Sequence, residues 1–119
     1  MRIKSRILFS LLCLSAFIGS SSAADGDSAQ DGQTLAFDRN KGNCLACHAI
    51  PNDPKATSPG NIGPALIGMK SRFPVKAKLR AQIWDATAFN PKTAMPPFGK
   101  NKVLTDPEID RIVDYLLGM

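Results

Sequence analysis

The chain has 119 residues, room for one domain, and its 15 basic against 10 acidic residues give a formal charge of +5. Arg2, Lys4 and Arg6 precede the apolar run from Ile7 to Gly19 and the small residues Ser20 to Ala24, the three-part order of a secretory signal peptide. Its removal takes three bases and no acid, leaving 12 minus 10, or +2; with no run of interleaved aromatic and basic residues, this excludes a nucleic-acid-binding class.

The apolar run falls short of the about 20 residues that span a bilayer, so no membrane segment is expected after cleavage. Cys13 lies inside that run behind Leu12, not behind a small residue, and is not read as a lipid anchor. Cleavage after Ala23 or Ala24 leaves one domain, 25–119, exported to the periplasm. Residues 25–31 read as a polar, unstructured start, followed by a short helix over 33–40. Lys41-Gly42-Asn43 is its exit, with Gly42 suited to positive φ.

Residues 51–64 carry Pro51, Pro54, Pro59 and Pro64 with Gly60 and Gly63, a composition that excludes both helix and central strand. One helical turn is expected over Ala65 to Met69. Val75, Leu79 and Ile83 recur every four residues and predict a helix over 74–86 that opens on Pro74. Residues 91–102 form a second Pro-rich loop. Thr105 and Glu108 make a capping box, and Ile109, Ile112, Val113 and Leu116 form one face of a last helix that ends at Gly118. No stretch alternates with period two for long enough to build a sheet. The fold class is all-α, three to four helices with two long loops. So small a core, with loops lacking structure of their own, calls for a large apolar ligand.

Cys44-Leu45-Ala46-Cys47-His48 names that ligand. Two thiols three positions apart can each add to a vinyl group of one porphyrin, and the following histidine then offers a ring nitrogen to the iron. The alternatives are weaker. A disulfide would close a very short loop for little gain. Zinc needs about four ligands, and His48 is the single histidine. A thioredoxin-like pair needs a βαβ setting. One covalent haem c is expected, with His48 as one metal ligand. Bis-His ligation is then impossible, which leaves Met69, Met95 and Met119. Met95 sits in Ala94-Met95-Pro96-Pro97-Phe98, where two prolines stiffen the loop, and is the expected second metal ligand. With both axial positions filled and no spare thiol or imidazole, no catalytic residue is expected.

The order helix, Cys-x-x-Cys-His, Gly63-Pro64, Met95-Pro96 and terminal capped helix resembles the class I cytochromes c. That resemblance implies a cytochrome c-like domain wrapped around the haem, with the carbonyl of Pro64 accepting a hydrogen bond from His48. Gly42 to His48, Gly60 to Pro64, Leu79 to Ala86 and Met95 to Gly99 together are similar to SoxX, the family of monohaem subunits of the SoxAX cytochromes. The resemblance implies a SoxA-like haem subunit as heterodimer partner, a SoxYZ-like carrier reached through the complex, and a downstream cytochrome c acceptor. It implies electron transfer during oxidative coupling of thiosulfate to a carrier cysteine. The complex is an L-cysteine S-thiosulfotransferase, with catalysis in the partner. The alternative is a free periplasmic class I cytochrome c that diffuses between partners.

Further features stay open in the sequence. Lys70, Arg72, Lys76, Lys78 and Arg80 are either a solvated face or a docking patch for an acidic partner. Trp84 is either core or a donor to a haem propionate. Leu45, Ile50, Pro96, Pro97 and Phe98 either wall the haem or form the apolar centre of an interface.

Overall fold

The computed structural model describes residues 25–119, with side chains from Asp31 onward. The leader read at 1–24, Cys13 included, lies outside the described residues. Among those described there are four α-helices and no strand: α1 Asp25–Phe37, α2 Met69–Arg72, α3 Lys76–Trp84 and α4 Asp106–Leu117. Two 3-10 turns, Cys44–Ala46 and Ala86–Ala88, interrupt the long connections.

α4 is the best specified element. The amide of Thr105 donates to Glu108 Oε2 at 2.8 Å, and the amide of Glu108 donates to Thr105 Oγ1 at 3.4 Å, closing the capping box. Its apolar stripe, Ile109, Ile112, Val113 and Leu116, is buried, and Gly118 caps its end. α1 begins at Asp25 and so includes the polar stretch expected to be unstructured. It stops at Phe37, short of Asn40.

The two terminal helices cross at Gly32. A Cβ at that position would lie 2.1 Å from the Arg111 carbonyl oxygen and 2.8 Å from Tyr115 Cβ, so only glycine permits this separation. Phe37 and Tyr115 pack edge to face above the crossing, with ring centroids 6.1 Å apart. Ion pairs from Arg111 to Asp31 and from Lys41 to Glu108, the latter at 2.8 Å, hold the flanks.

Three other boundaries differ from expectation. The single helical turn runs from Met69, not from Ala65, because Gly68 at φ 61° cannot belong to a right-handed helix. α3 starts at Lys76 behind an extended Val75, so Pro74 precedes the helix. Val75 therefore leaves the apolar stripe and is 51% exposed, while Leu79 and Ile83 are buried as expected. After α1, positive φ falls on Asn43 and not on Gly42. Gly42 is required instead for closeness: a Cβ there would lie 3.0 Å from the Leu35 carbonyl oxygen.

Two of the five bases in the run on α2 and α3 are paired within the chain, while Lys70, Arg72 and Lys78 stay exposed. Lys76 pairs with Asp114 at 2.5 Å, and Arg80 bonds Asp106 at 2.8 Å and Asp110 at 2.6 Å, tying α3 to α4. Trp84 is neither core nor a cavity residue. It is 39% exposed, and its ring lies on Gly99, whose amide donates to the Trp84 carbonyl at 3.1 Å.

Two outcomes follow. Gly32→Ala should destabilise the holoprotein by about 2 kcal/mol through overpacking at the crossing, read as a lower denaturant midpoint; an unchanged midpoint contradicts the crossing. Glu108 is held down to about 2 by its bond to Lys41 and then by the Thr105 amide. Because the folded value is depressed, this stabilisation is complete above about pH 4.5 and fades as pH falls toward about 2. Glu108→Gln should therefore cost about 1 kcal/mol at pH 6, with the difference from the native chain shrinking steadily below pH 4.5. A constant difference across that window contradicts the assignment.

Candidate functional site

The 3-10 turn at Cys44–Ala46 arises where Asn43 takes its left-handed conformation and redirects the chain. Cys47 and His48 both donate their amides to the Cys44 carbonyl, at 3.2 and 2.9 Å. Cys44, Cys47 and His48 thereby share one wall of a cavity of about 640 Å³. That volume is in the range of ~300–1,000 Å³ that suits a bound small molecule or cofactor. Leu66, Phe73, Leu79, Ile83, Leu104, Ile112 and Leu116 furnish an apolar lining drawn from α3, α4 and the loops.

Three backbone bonds join the motif to the Pro-rich loop: Gly60 N to Leu45 O, Gly63 N to Cys47 O and Leu66 N to Ala49 O, each 2.8 Å. They bring Pro64 over the imidazole. His48 Nδ1 lies 2.7 Å from the Pro64 carbonyl oxygen. A carbonyl only accepts, so Nδ1 carries the proton and Nε2 keeps its lone pair. Gly63 makes room for this ring, since a Cβ there would lie 2.3 Å from His48 Cε1.

Met95 and Met69 both reach the cavity, and Met119 does not. Met69 is 1% exposed, accepts from Arg72 Nη1 at its sulfur (3.4 Å) and donates its amide to Met119 O at 3.0 Å. Met95 is half-buried, and its amide donates to Thr93 Oγ1 at 3.1 Å. Its sulfur has no hydrogen-bond partner among the described residues, so Met95 is the freer thioether. Cys44, Cys47, His48, Pro64 and Met95 are thus gathered around one space.

The thiols are free, not joined as a disulfide. Burial pushes the Cys44 thiol up to about 11 against the pull of a backbone hydrogen bond, with the neighbouring Cys47 adding to the rise. Among the described residues no group of three or more His, Cys, Asp or Glu side chains is arranged so that it could hold a metal ion by itself. Arg39, Lys41 and Arg72 line the cavity and no carboxylate does.

Haem c satisfies every part of this donor set. The cavity is apolar and deep, two thiols stand at one edge, and one imidazole has its outer nitrogen fixed by a carbonyl. Cations at the mouth suit a group that carries two propionates.

Several supporting residues have little signal in the sequence. Asp53 is buried and accepts from Tyr115 Oη and Gln33 Nε2, both at 2.5 Å, and from the Lys55 amide at 2.9 Å. Burial raises the Asp53 carboxyl, but these bonds outweigh it and hold it below its usual range. Burial, reinforced by Asp53, raises the Tyr115 phenol. This network fastens the 51–64 loop to both terminal helices. Ile50 is buried at 2%, so it belongs to the core and not to an interface.

Residues 28–116 match the family model described as cytochrome c oxidase, cbb3-type, subunit III. The crystal structure of SoxXA from P. pantotrophus contains a chain that superposes with a TM-score of 0.67 at 27% identity, covering 75% of this chain and 79% of that one. A protein of Aquifex aeolicus (strain VF5) named as an uncharacterised lipoprotein is 38% identical over 76 residues. That match covers 64% of this chain and spans 36% of the relative's length.

Gly63→Ala should push the His48 ring off Pro64. The loss of a hydrogen bond worth ~1 kcal/mol should speed solvent exchange of the His48 Nδ1 proton roughly fivefold, as measured by NMR on the reduced holoprotein. Unchanged exchange contradicts the close approach.

Proposed function

We propose, from the premise that this chain belongs to the cytochrome c family of the cbb3-type subunit III model and carries one covalently bound haem c, that it is the electron-transfer subunit of a SoxAX-type complex. Electron transfer is the family's activity. The Sox assignment is supported by 27% identity over three quarters of the chain to a chain of SoxXA. The observation that carries the reading is the single cavity on which both thiols, the imidazole keyed to Pro64 and the free thioether of Met95 converge.

The haem supplies one-electron redox chemistry when bound. Cys44 and Cys47 hold it by thioether bonds. His48 would offer Nε2 to the iron, with the Pro64 carbonyl, 2.7 Å from Nδ1, fixing its ring and raising its basicity. Met95 would be the second protein ligand to the iron, and Met-His ligation would raise the reduction potential into the range that suits a carrier. Leu79, Ile83, Leu104 and Ile112 exclude water from the pocket.

No residue of this chain is assigned a catalytic role. Coupling thiosulfate to a carrier thiol forms one sulfur–sulfur bond and releases one proton and two electrons. One haem accepts these electrons singly, so the bond-forming chemistry belongs to a SoxA-like haem subunit acting on a SoxYZ-like carrier. The electrons leave to a downstream cytochrome c. The reading puts residues 25–119 in the periplasm after loss of 1–24, supported by the three-part order of the leader and by a relative named as a lipoprotein. A freely diffusing carrier is the second reading, favoured by the breadth of the matched family.

Ligation is tested by substitution. Met95→Leu should abolish the thioether–iron charge-transfer band of the ferric protein and lower the potential, whereas Met69→Leu should leave both in place. The reverse pattern contradicts the assignment. The Sox reading is tested by purification from the native periplasm: a one-to-one complex with a SoxA-like haem subunit supports it, and elution alone supports the diffusing carrier.

A further inference from the structure

Charge is distributed unevenly along this chain. Between Arg39 and Trp84 the single acidic residue is Asp53, and it is buried under Tyr115 and Gln33. That segment itself therefore exposes no carboxylate, and the α4 carboxylates that pack on it meet it at Lys41, Lys76 and Arg80, outside residues 56–69. Within the segment, Ala56 to Met69 contains no charged residue at all. Yet this loop is largely exposed, with Ile62 at 71% and Ile67 at 44% accessible and Pro59 and Pro64 also at the surface. It is not a loose loop, since the bonds from Gly60, Gly63 and Leu66 fix it to the Cys44–Ala49 segment.

Cations border this face. Arg72 donates Nη1 to the carbonyls of Ala65 (2.8 Å) and Ile67 (3.4 Å), which sets its side chain at the loop's edge. Arg39 lines the mouth of the cavity together with Ile62. Lys70, on α2 and outside the cavity lining, has no ion pair among the described residues. A rigid apolar centre with a basic margin and no acid complements a surface with an apolar centre and a carboxylate margin.

The other exposed apolar site, a groove holding Trp84 and Phe89, lacks this character. It includes Arg80 and Asp85, and Arg80 is already paired with Asp106 and Asp110 of α4. Charges of both signs meet there and are largely satisfied within the chain.

We infer that the uncharged loop face of residues 56–69, centred on Ile62 and Ile67, is the surface on which the SoxA-like haem subunit docks, meeting an acidic rim on that partner. The inference rests on the Sox reading above. The face lies against the motif: the amides of Gly60 and Gly63 bond the carbonyls of Leu45 and Cys47, so a partner seated here sits beside the segment that carries both thiols. A permanent apolar interface at this place shortens the path for an electron without requiring a fresh encounter in each cycle.

The test uses the holoprotein and its purified SoxA-like subunit, with dissociation constants measured by calorimetry. Ile62→Glu and Ile67→Glu should each weaken binding about thirtyfold or more, as expected of central interface residues. Lys70→Glu should slow association and flatten its dependence on salt. Phe89→Glu, in the alternative groove, should leave affinity unchanged. Ile67 does not line the cavity, so it keeps the test valid if Ile62→Glu loses haem, which absorbance reports. Native affinity in Ile67→Glu together with loss in Phe89→Glu overturns the inference and assigns docking to the groove. A native holoprotein that binds no SoxA-like subunit yet exchanges electrons with a soluble cytochrome c overturns the Sox reading and the inference with it.

Discussion

The amides of Gly60, Gly63 and Leu66 donate to the carbonyls of Leu45, Cys47 and Ala49, and the site depends on these three bonds. The segments they join contain little regular structure. One is a 3-10 turn followed by extended chain, and the other is a Pro-rich loop that no helix or sheet organises. Held together, they bring the Pro64 carbonyl to His48 Nδ1 and turn two irregular stretches into one cavity wall. The opposite side of this assembly rests on Asp53, whose bonds to Gln33 and Tyr115 tie the same loop to α1 and α4. The close crossing at Gly32 gives those helices a fixed relation, so the wall inherits its position from the terminal helices.

A pocket built in this way explains how so short a chain suits a large cofactor. Leu79, Ile83, Leu104, Ile112 and Leu116 point part of their apolar surface into the cavity, not into other side chains. The haem is the missing centre of the core, and its covalent attachment makes that centre permanent. With His48 and Met95 as its proposed ligands, the iron would be closed to substrate and suited to carry electrons.

Much of this was legible in the residues, and what was not has physical causes. Thr105, Glu108 and the Ile109–Leu116 stripe specify α4 locally, because capping and periodicity are properties of adjacent positions. Cys44, Cys47 and His48 announce their chemistry by spacing alone. The start of α1 was hidden because Asp25 to Asp31 is polar, and what accompanies the longer helix is the docking of Gly32 on Arg111 together with the Asp31–Arg111 pair, a separation of 80 positions. Asp53 was equally silent, since its partners Gln33 and Tyr115 lie far off in sequence. The basic run at 70–80 suggested a docking patch, yet Lys76 and Arg80 are taken up by Asp114, Asp110 and Asp106, a pairing that only tertiary structure reveals. Trp84 behaves similarly: its exposed ring lies over Gly99, behind the Met95 loop and outside the cavity.

The central claim is that Met95, and not the buried Met69 that also lines the cavity, completes a haem site founded on His48. It is tested most directly by methyl-labelling the methionines and recording the NMR spectrum of the reduced, intact holoprotein. The account predicts one methionine methyl resonance displaced far upfield by the porphyrin ring current and assigned to Met95, with Met69 and Met119 close to ordinary values. A displaced resonance belonging to Met69, or none displaced at all, would contradict it.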